Sequence, residues 1–421
     1  MNSHIQPTIL CLAHLGWDNV WQRPQQLLSR LAQHYPVIYV NEPFMTTPEA
    51  EPHLKSVAMG GNVSAWQPFF PDRQDVRERW EENYIELVKN LLLDQQLVHQ
   101  NGVLAAAQPL ILWFYTPTPY YFLDHFPADL VVYDVMDELA NFKHAPAYLH
   151  ERETILLERA DLVFTGGRSL YQARQGRHAN LHLFPSGVEP EHFARALQPT
   201  TPVAAEISDL PFPVLGYYGV IDERIDLALL DHLATEHPEW SIVMVGPVTK
   251  IDPADLPRRP NIHYPGKQPY EHLPYFLKGF DVCLMPFAMN EATCSLSPTK
   301  TLEYMAAHKP IVSTPVPDVV TNWGDVVKIA AGAEEFAAAI HYSLGETTMQ
   351  RAWRVGLSKR HLACNTWDHI THEMHNLIEA GLQGHGSTRP RTFSRLHQED
   401  GLNGTHSVTP RNTALNSLKS V

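Results

Sequence analysis

Cysteine is scarce in this sequence. Cys11, Cys283, Cys294 and Cys364 are the four in a chain of 421 residues, and no two form a CxxC pair. That excludes a disulfide-stapled scaffold and fits a reducing compartment. Cys283 lies inside an apolar run and reads as a core residue. Basic charge is also short. The net charge of -14 argues against a nucleic-acid binder, whose footprint would be a basic face. No apolar stretch approaches the roughly 20 residues of a membrane span. Met1–Thr8 is polar and leads straight into a strand, so no signal peptide is expected and the expected location is the cytoplasm. Familiar chemical signatures are missing too. No two aspartates stand one residue apart, and there is no GxGxxG, P-loop or GxSxG. His372–His375 reads HEMH, but Asn376 breaks the HExxH zinc spacing. The 24 histidines are scattered, so neither a metal site nor a cofactor is expected.

What is present is a rhythm. A chain of 421 residues that is 44% hydrophobic is too long for one ordinary core. Short apolar runs at Thr8–Leu15, Val37–Val40, Leu110–Tyr115, Leu130–Val135, Leu162–Thr165 and Leu181–Phe184 read as buried parallel strands. Helical segments, Pro24–Gln33, Arg77–Val98 and Tyr148–Ala160 among them, lie between. The rhythm stops near Arg195, and the proline-rich Leu197–Pro213 reads as a linker. It restarts with strands predicted at Val214–Tyr218, Ser241–Val245, Asn261–Tyr264, Val282–Met285, Ile311–Ser313 and Val326–Ile329, followed by a helical stretch over Thr348–Leu382. Such alternation gives open parallel sheets covered by helices. The expected division is an N-terminal α/β domain over 1–205, a C-terminal one over 206–383, and a disordered tail over 384–421. The tail carries Arg389, Arg391, Arg395, Arg411 and Lys419 against Glu399 and Asp400. Its basic balance leaves peripheral contact with the inner face of a membrane open, although the reading favours an inert tail.

Four stretches could carry chemistry. In Ser295–Pro310, Ser297 suits an N-cap and Pro298 the first helical position, so a helix is expected to start there, just past a strand. In an open parallel sheet that is where ligands bind, and a helix N-terminus offers N–H groups to phosphate. Lys300 adds a charge, and Glu303 could hold the two hydroxyls of a ribose; a plain surface helix is about as compatible with the spacing. In Leu215–Leu229, Gly219 lets a ligand approach the backbone, Arg224 could pair with a diphosphate, and Ile225 is expected to open a helix. The competing reading has Glu223 and Asp226 neutralise Arg224 in a surface cluster. In Val131–Ala140, Asp134, Asp137 and Glu138 follow a strand, and one could act as a base or stabilise positive charge. In Gly16–Gln25, Trp17, Trp21 and Arg23 gather in the first strand-to-helix loop, where a Trp can stack on a sugar or simply pack.

These residues resemble a known family. WQRPQ at Trp21–Gln25, YDVMDE at Tyr133–Glu138, ADLVFTGGRSLY at Ala160–Tyr171, FPSGVE at Phe184–Glu189, YYGVIDERIDL at Tyr217–Leu227, the stretch Met285–Thr314 and NTWD at Asn365–Asp368 are similar to GT-B glycosyltransferases of the family 4, or group 1, type. Within that type the chain resembles the bacterial teichuronic-acid biosynthesis glycosyltransferases. The likeness covers roughly residues 8 to 380. It implies two Rossmann-like domains facing across a cleft, with a nucleotide-sugar donor (a UDP- or GDP-sugar) on the C-terminal domain and a saccharide or lipid-linked acceptor on the N-terminal one. It further implies metal-independent transfer with retention at the anomeric carbon, in surface polysaccharide biosynthesis. Glu303 matches the second glutamate of the family's EX7E motif; the first falls at Ser295, with Glu291 four residues earlier. The family's N-domain histidine falls at Met136, with Asp137 kept. The implied catalytic residues are Asp137, Arg224 and Lys300. Gly16, Trp17, Arg23, Gly219, Asn290, Glu291, Ser297, Pro298, Thr299 and Glu303 would hold substrate. A nucleotide-sugar epimerase on the same fold and a non-catalytic nucleotide-sugar binder are the alternatives.

Overall fold

The computed structural model describes residues 6–19, 21–94, 109–142, 145–294 and 296–385. Of the tail expected to be disordered over 384–421, Gly384 and His385 belong to the last helix and the rest lies outside the described residues, as does Ser295.

Two sheets organise the chain. The first contains β1 (Thr8–Leu12), β2 (Val37–Val40), β3 (Phe44–Thr46), β4 (His53–Gly60), β5 (Val63–Pro71), β6 (Leu110–Phe114), β7 (Leu130–Val135), β8 (Leu162–Thr165) and β9 (Leu181–Leu183). Its order is β3-β5-β2-β1-β6-β7-β8-β9, all parallel, with β4 antiparallel on β5. The second contains β10 (Val214–Tyr218), β11 (Ser241–Val245), β12 (Ile262–Gly266), β13 (Val282–Met285), β14 (Ile311–Ser313) and β15 (Lys328–Ile329), ordered β12-β11-β10-β13-β14-β15 and wholly parallel. β1, β2, β6, β7, β8, β10, β11, β13 and β14 are buried at every position, which is why their sequences are apolar on both faces. The strand order reverses between β1 and β6 in the first sheet and between β10 and β13 in the second. Ligands of open α/β sheets sit beyond the carboxyl ends of the strands at such points.

The structure departs from the sequence reading in several places. Residues 44–71, left without strands, form β3, β4 and β5 at the sheet's edge. β4 is mostly exposed and so has no apolar run to betray it, and its turn into β5 runs through Gly60, Gly61 and Asn62, all at positive φ. The single helix expected over Arg77–Val98 is interrupted at Arg79, giving Gln74–Glu78 and Trp80–Asp94; the rest falls outside the described residues. The late helical stretch divides at Asn365 into Thr348–Cys364 and Trp367–His385. The second piece buries Trp367, Ile370, Met374 and Ile378 in the core under the first sheet. The proline-rich stretch is not a free tether, because Ala204 and Ile207 are buried in the core of the second sheet. Among the described residues no helix is long and apolar enough to cross a membrane.

The two sheets are held together away from the cleft floor. Asp318, 1% exposed, accepts hydrogen bonds from the backbone N–H groups of Arg168 (2.7 Å) and Ser169 (3.0 Å), so a carboxylate from one domain caps a helix of the other. Gly167 makes the approach possible. A Cβ there would stand 2.7 Å from Asp318 Oδ2 and 2.8 Å from Ser297 Cβ. Its φ of -159° suits any residue, so Gly167→Ala adds only a wedge. The variant is expected to open the two domains, read as a larger radius of gyration by solution scattering. An unchanged scattering profile in the folded variant would contradict this account of the contact.

Candidate active site

Between the two sheets lies a cavity of about 760 Å³. Its floor on the second sheet is glycine. Gly219 directly follows β10 at φ +143° and Gly246 directly follows β11 at φ +148°, conformations that L side chains rarely adopt. A Cβ on Gly219 would come within 2.2 Å of Lys300 Cε, and one on Gly246 within 1.8 Å of the Gly219 carbonyl oxygen. Both glycines are required by close approach, and together they expose backbone to the cavity.

Lys300 and Glu303 come from the helix Lys300–Ala306, which starts later than Ser297. Thr299 is the residue before it and has helical angles, while Ser297 is not its cap; the Ser297 Oγ has no hydrogen-bond partner. The reason lies in packing: Leu302, Tyr304, Met305 and Ala306 are buried, which fixes the helix over those residues and leaves Ser297–Thr299 as a loop lining the cavity. Tyr304 anchors it further, its hydroxyl accepting from the Tyr218 N–H at 3.2 Å. Burial lowers the Lys300 pKa, and the nearby Arg224 adds to this while Glu303 opposes it. Burial likewise raises the Glu303 carboxyl, with Lys300 pulling the other way.

Arg224 also lines the cavity. Its partner is Asp222, not Asp226. Nε lies 3.0 Å and 3.1 Å from the two Asp222 oxygens and Nη2 2.7 Å from Oδ2, and Asp222 is 1% exposed. This pair fixes the guanidinium at the cavity wall. Asp226 instead caps the helix Leu227–Glu236, accepting from Leu229 N–H at 2.8 Å. Ile225 therefore precedes the helix it was expected to open; it is buried and bridged to Phe287.

On the opposite wall the three acids separate by role, Asp134 within β7 and Asp137 and Glu138 just beyond it. Asp134 is buried against Arg23 at 2.7 Å, and Arg23 Nη1 also donates to the Phe184 carbonyl at 2.7 Å. Arg23 borders the cavity, but its charge is committed to that pair. Glu138 pairs with the buried Arg174 at 2.9 Å. Asp137 alone of the three lines the cavity, its pKa raised by burial and drawn back by Arg224 and Lys250. Trp17 lines it too, its ring packed edge-on against Tyr39 at 5.0 Å and Trp21 at 6.2 Å, and its backbone N–H donating to the Asn41 side-chain oxygen at 2.9 Å.

Three expected residues are elsewhere. Gly16, Asn290 and Glu291 do not line the cavity. Asn290 is spent locally, donating to the Glu223 carbonyl (3.0 Å) and accepting from Thr293 N–H (3.2 Å) as it starts the short helix Glu291–Cys294. Gly16 closes the turn to Asn19. Several residues escaped the sequence reading. Gly246 repeats after β11 the place of Gly219 after β10, a signal that was available. Tyr270 stacks on His192 at 4.3 Å and donates to Glu189 at 2.8 Å, joining the two walls through contacts no spacing reveals. Among the described residues no group of three His, Cys, Asp or Glu side chains gathers as metal ligands would.

The Arg23–Asp134 pair yields a stability test. Removing one partner leaves an uncompensated buried charge, so Asp134→Ala is expected to cost about 3–5 kcal/mol. Urea unfolding measures this; a loss below about 1 kcal/mol would mean that the pair is not buried in solution.

With the geometry in place, comparison with known proteins adds a family. Residues 214–346 match the family described as "Glycosyl transferases group 1". Over 173 residues the chain is 28% identical to the "Putative teichuronic acid biosynthesis glycosyltransferase TuaH" of Bacillus subtilis (strain 168), covering 39% of this chain and 43% of that relative, so less than half the relative's length is matched. The fold resembles a sucrose-phosphate synthase from Thermosynechococcus elongatus, with 17% identity, 90% of this chain and 100% of that one covered, and a TM-score of 0.63. It also resembles the E. coli structure described as "Trehalose-6-phosphate from E. coli bound with UDP-2-fluoro glucose", with 15% identity, 89% and 99% covered, and a TM-score of 0.61. Residues 214–346 of the chain thus match the group 1 glycosyltransferases, the fold that surrounds the cleft is the GT-B fold of those structures, and over the 173 matched residues the chain is a distant homologue of TuaH.

Proposed function

We propose that this chain moves a sugar from a nucleotide diphosphate sugar to an acceptor held on the first domain. The observation that carries the reading is the grouping of Gly219, Gly246, Arg224, Lys300 and Glu303 around one cavity at the reversal point of the second sheet. Its parts suit a nucleoside diphosphate. The glycine floor admits a diphosphate to the backbone. Arg224, held by Asp222, and Lys300 supply positive charge where the leaving diphosphate gathers negative charge. Glu303, one turn beyond Lys300, accepts hydrogen bonds from the ribose hydroxyls. Asp137 faces the sugar from the opposite wall, where a carboxylate stabilises positive charge at the reacting carbon. Transfer without a metal and with retention is part of the same reading, as is a saccharide or lipid-linked acceptor in surface polysaccharide synthesis, which the TuaH likeness supports.

Glu303 supplies two tests. Hydrogen bonds to a charged group contribute about 1.5–3 kcal/mol each, so Glu303→Ala is expected to weaken nucleoside diphosphate binding by roughly 10- to 100-fold in titration calorimetry run in EDTA. Unchanged affinity in a folded variant would remove the assignment. The stability effect has the opposite sign. With the folded-state pKa raised above the unfolded one, the wild type loses stability as pH rises through the folded pKa. Glu303→Gln lacks that penalty. It is expected to be more stable than wild type at neutral pH, with the difference fading below the unfolded carboxyl pKa. A variant less stable at neutral pH would show that Glu303 serves the fold. Release of nucleotide diphosphate only when an acceptor is present separates transfer from epimerisation and from binding alone.

A further inference from the structure

One face of the second domain carries side chains that neither the core nor the cleft uses. The helix Thr348–Cys364 contains Arg351, Arg354, Lys359 and Arg360 and no Asp or Glu, in a chain whose net charge is -14. Packing fixes which way it faces. Arg354, Ser358 and Leu362, each one turn from the next, are buried, and Arg354 Nη1 donates to the carbonyls of His308 (3.2 Å) and Lys309 (2.9 Å). On the opposite side Met349, Trp353, Gly356 and Arg360 follow one another at helical spacing, flanked by Ala352 and Lys359, and all six are exposed. Met349 is 82% exposed, the most of any large hydrophobic side chain among the described residues, and Trp353 is 67% exposed. One exposed apolar residue is ordinary, but two on one stripe form a patch. Tyr342, from the preceding helix Ala333–Leu344, joins it through Gln350, which donates to its hydroxyl at 2.9 Å, and Lys328 Nζ lies 4.5 Å from the Tyr342 ring centre. Packing does not ask for Gly356: a Cβ there would meet nothing within 4 Å, although glycine inside a helix is destabilising relative to alanine. The ion pairs of the helix leave from its other sides. Arg351 and Arg354 meet Glu346 and His361 meets Asp325, whereas among the described residues Lys359 and Arg360 form none. Glu334 and Glu335 stand two turns or more before Tyr342, at the far end of its helix.

We propose that this face docks on an anionic lipid bilayer, with Trp353 and Met349 entering the acyl boundary and Lys359 and Arg360 meeting the lipid phosphates. Large apolar side chains beside cations, with no acid among them, are what a helix lying in a membrane interface presents. Ala352 and Gly356 are small, so the indole and the thioether project past their neighbours and reach the acyl boundary while the helix stays at headgroup depth. Long basic side chains lay their stems along apolar surface and keep their charge among the phosphates. Charge and shape decide against other occupants. A symmetric dimer through this face would bring two sets of Lys359 and Arg360 together. Residues 386–421 carry Arg389, Arg391, Arg395, Arg411 and Lys419 against Glu399 and Asp400, so the tail has the sign of the face and is repelled by it, whereas an anionic bilayer attracts both. An acidic protein would answer the cations but would need a pocket for the projecting indole, which a bilayer admits anywhere. None of these side chains lines the cavity, and the proposal does not depend on the sugar-transfer reading.

Co-sedimentation of the full chain with vesicles of phosphatidylcholine, alone or with about 30% phosphatidylglycerol, tests this at low and at high salt. Partition onto the anionic vesicles is expected to exceed that onto the neutral ones tenfold or more and to fall as salt is added. Each basic residue near an anionic surface contributes about fivefold, so Lys359→Gln combined with Arg360→Gln is expected to lower the partition by about 30-fold at low salt. Trp353→Ser is expected to lower it about tenfold on both kinds of vesicle, because it removes apolar area from the acyl boundary. All three positions are exposed, so the melting temperature of each variant is expected to match the wild type, which shows that the fold is intact. Full binding by either variant would overturn the proposal and assign the attraction to the tail or to another surface. A wild type that ignores the anionic vesicles would overturn it as well. Sedimentation equilibrium then separates the other occupants: a dimer that dissociates in Trp353→Ser makes the face a contact between copies, and a monomer leaves it to a protein partner.

Discussion

Everything in the cleft depends on one short ladder where the chain passes between its two domains. Val188 N–H donates to the Asn365 carbonyl at 3.0 Å, and Trp367 N–H donates back to Val188 at 3.2 Å. The outgoing and returning segments of the chain are thus tied to each other here. Gly187 makes the crossing narrow enough, since a Cβ there would meet the Trp367 nitrogen at 2.8 Å. From this point Trp367, Ile370, Met374 and Ile378 anchor the last helix under the first sheet, and Asp318 fastens the far side against Arg168 and Ser169. Two sheets whose carboxyl edges face each other are the consequence, and both reversal points open onto the same space.

That space is electrostatically uneven. Arg224, Lys300 and Lys250 bring three positive groups to it or beside it, each partly removed from water. Among the described residues, Arg224 is the one of the three with an ion pair, to the buried Asp222. Glu303 moderates Lys300 and Asp137 moderates Arg224, yet both acids are themselves raised by burial. A site of this kind is unstable by itself and gains from an anionic ligand, which replaces lost hydration with direct pairing. The whole chain carries -14, so the positive cleft is a local feature set against the net charge.

The fold was largely legible because buried parallel strands are short, apolar on both faces and bounded by turns; Val37–Val40, Val214–Tyr218 and Val282–Met285 coincide with the runs that predict them. β4 was not legible, since a hairpin strand facing solvent has no such run. Helix starts were read too early where capping residue type was the guide. Ser297 and Ile225 looked like openings, but the buried faces of Leu302–Ala306 and Leu229–Ala234 decide where each helix begins. Gly219, Lys300, Glu303, Arg224 and Asp137, each expected beyond the carboxyl end of a strand, line the cavity. The commitments of Arg23 to Asp134 and of Asn290 to Glu223 and Thr293 could not be found, because they rest on side chains meeting across the fold.

The most direct measurement of the central claim is amide hydrogen exchange with and without a nucleoside diphosphate. The account predicts protection concentrated at Gly219–Arg224, around Gly246 and over Ser297–Glu303, on the second sheet's carboxyl edge. Protection confined to the first sheet, or absent from all three segments at saturating nucleotide, would contradict it.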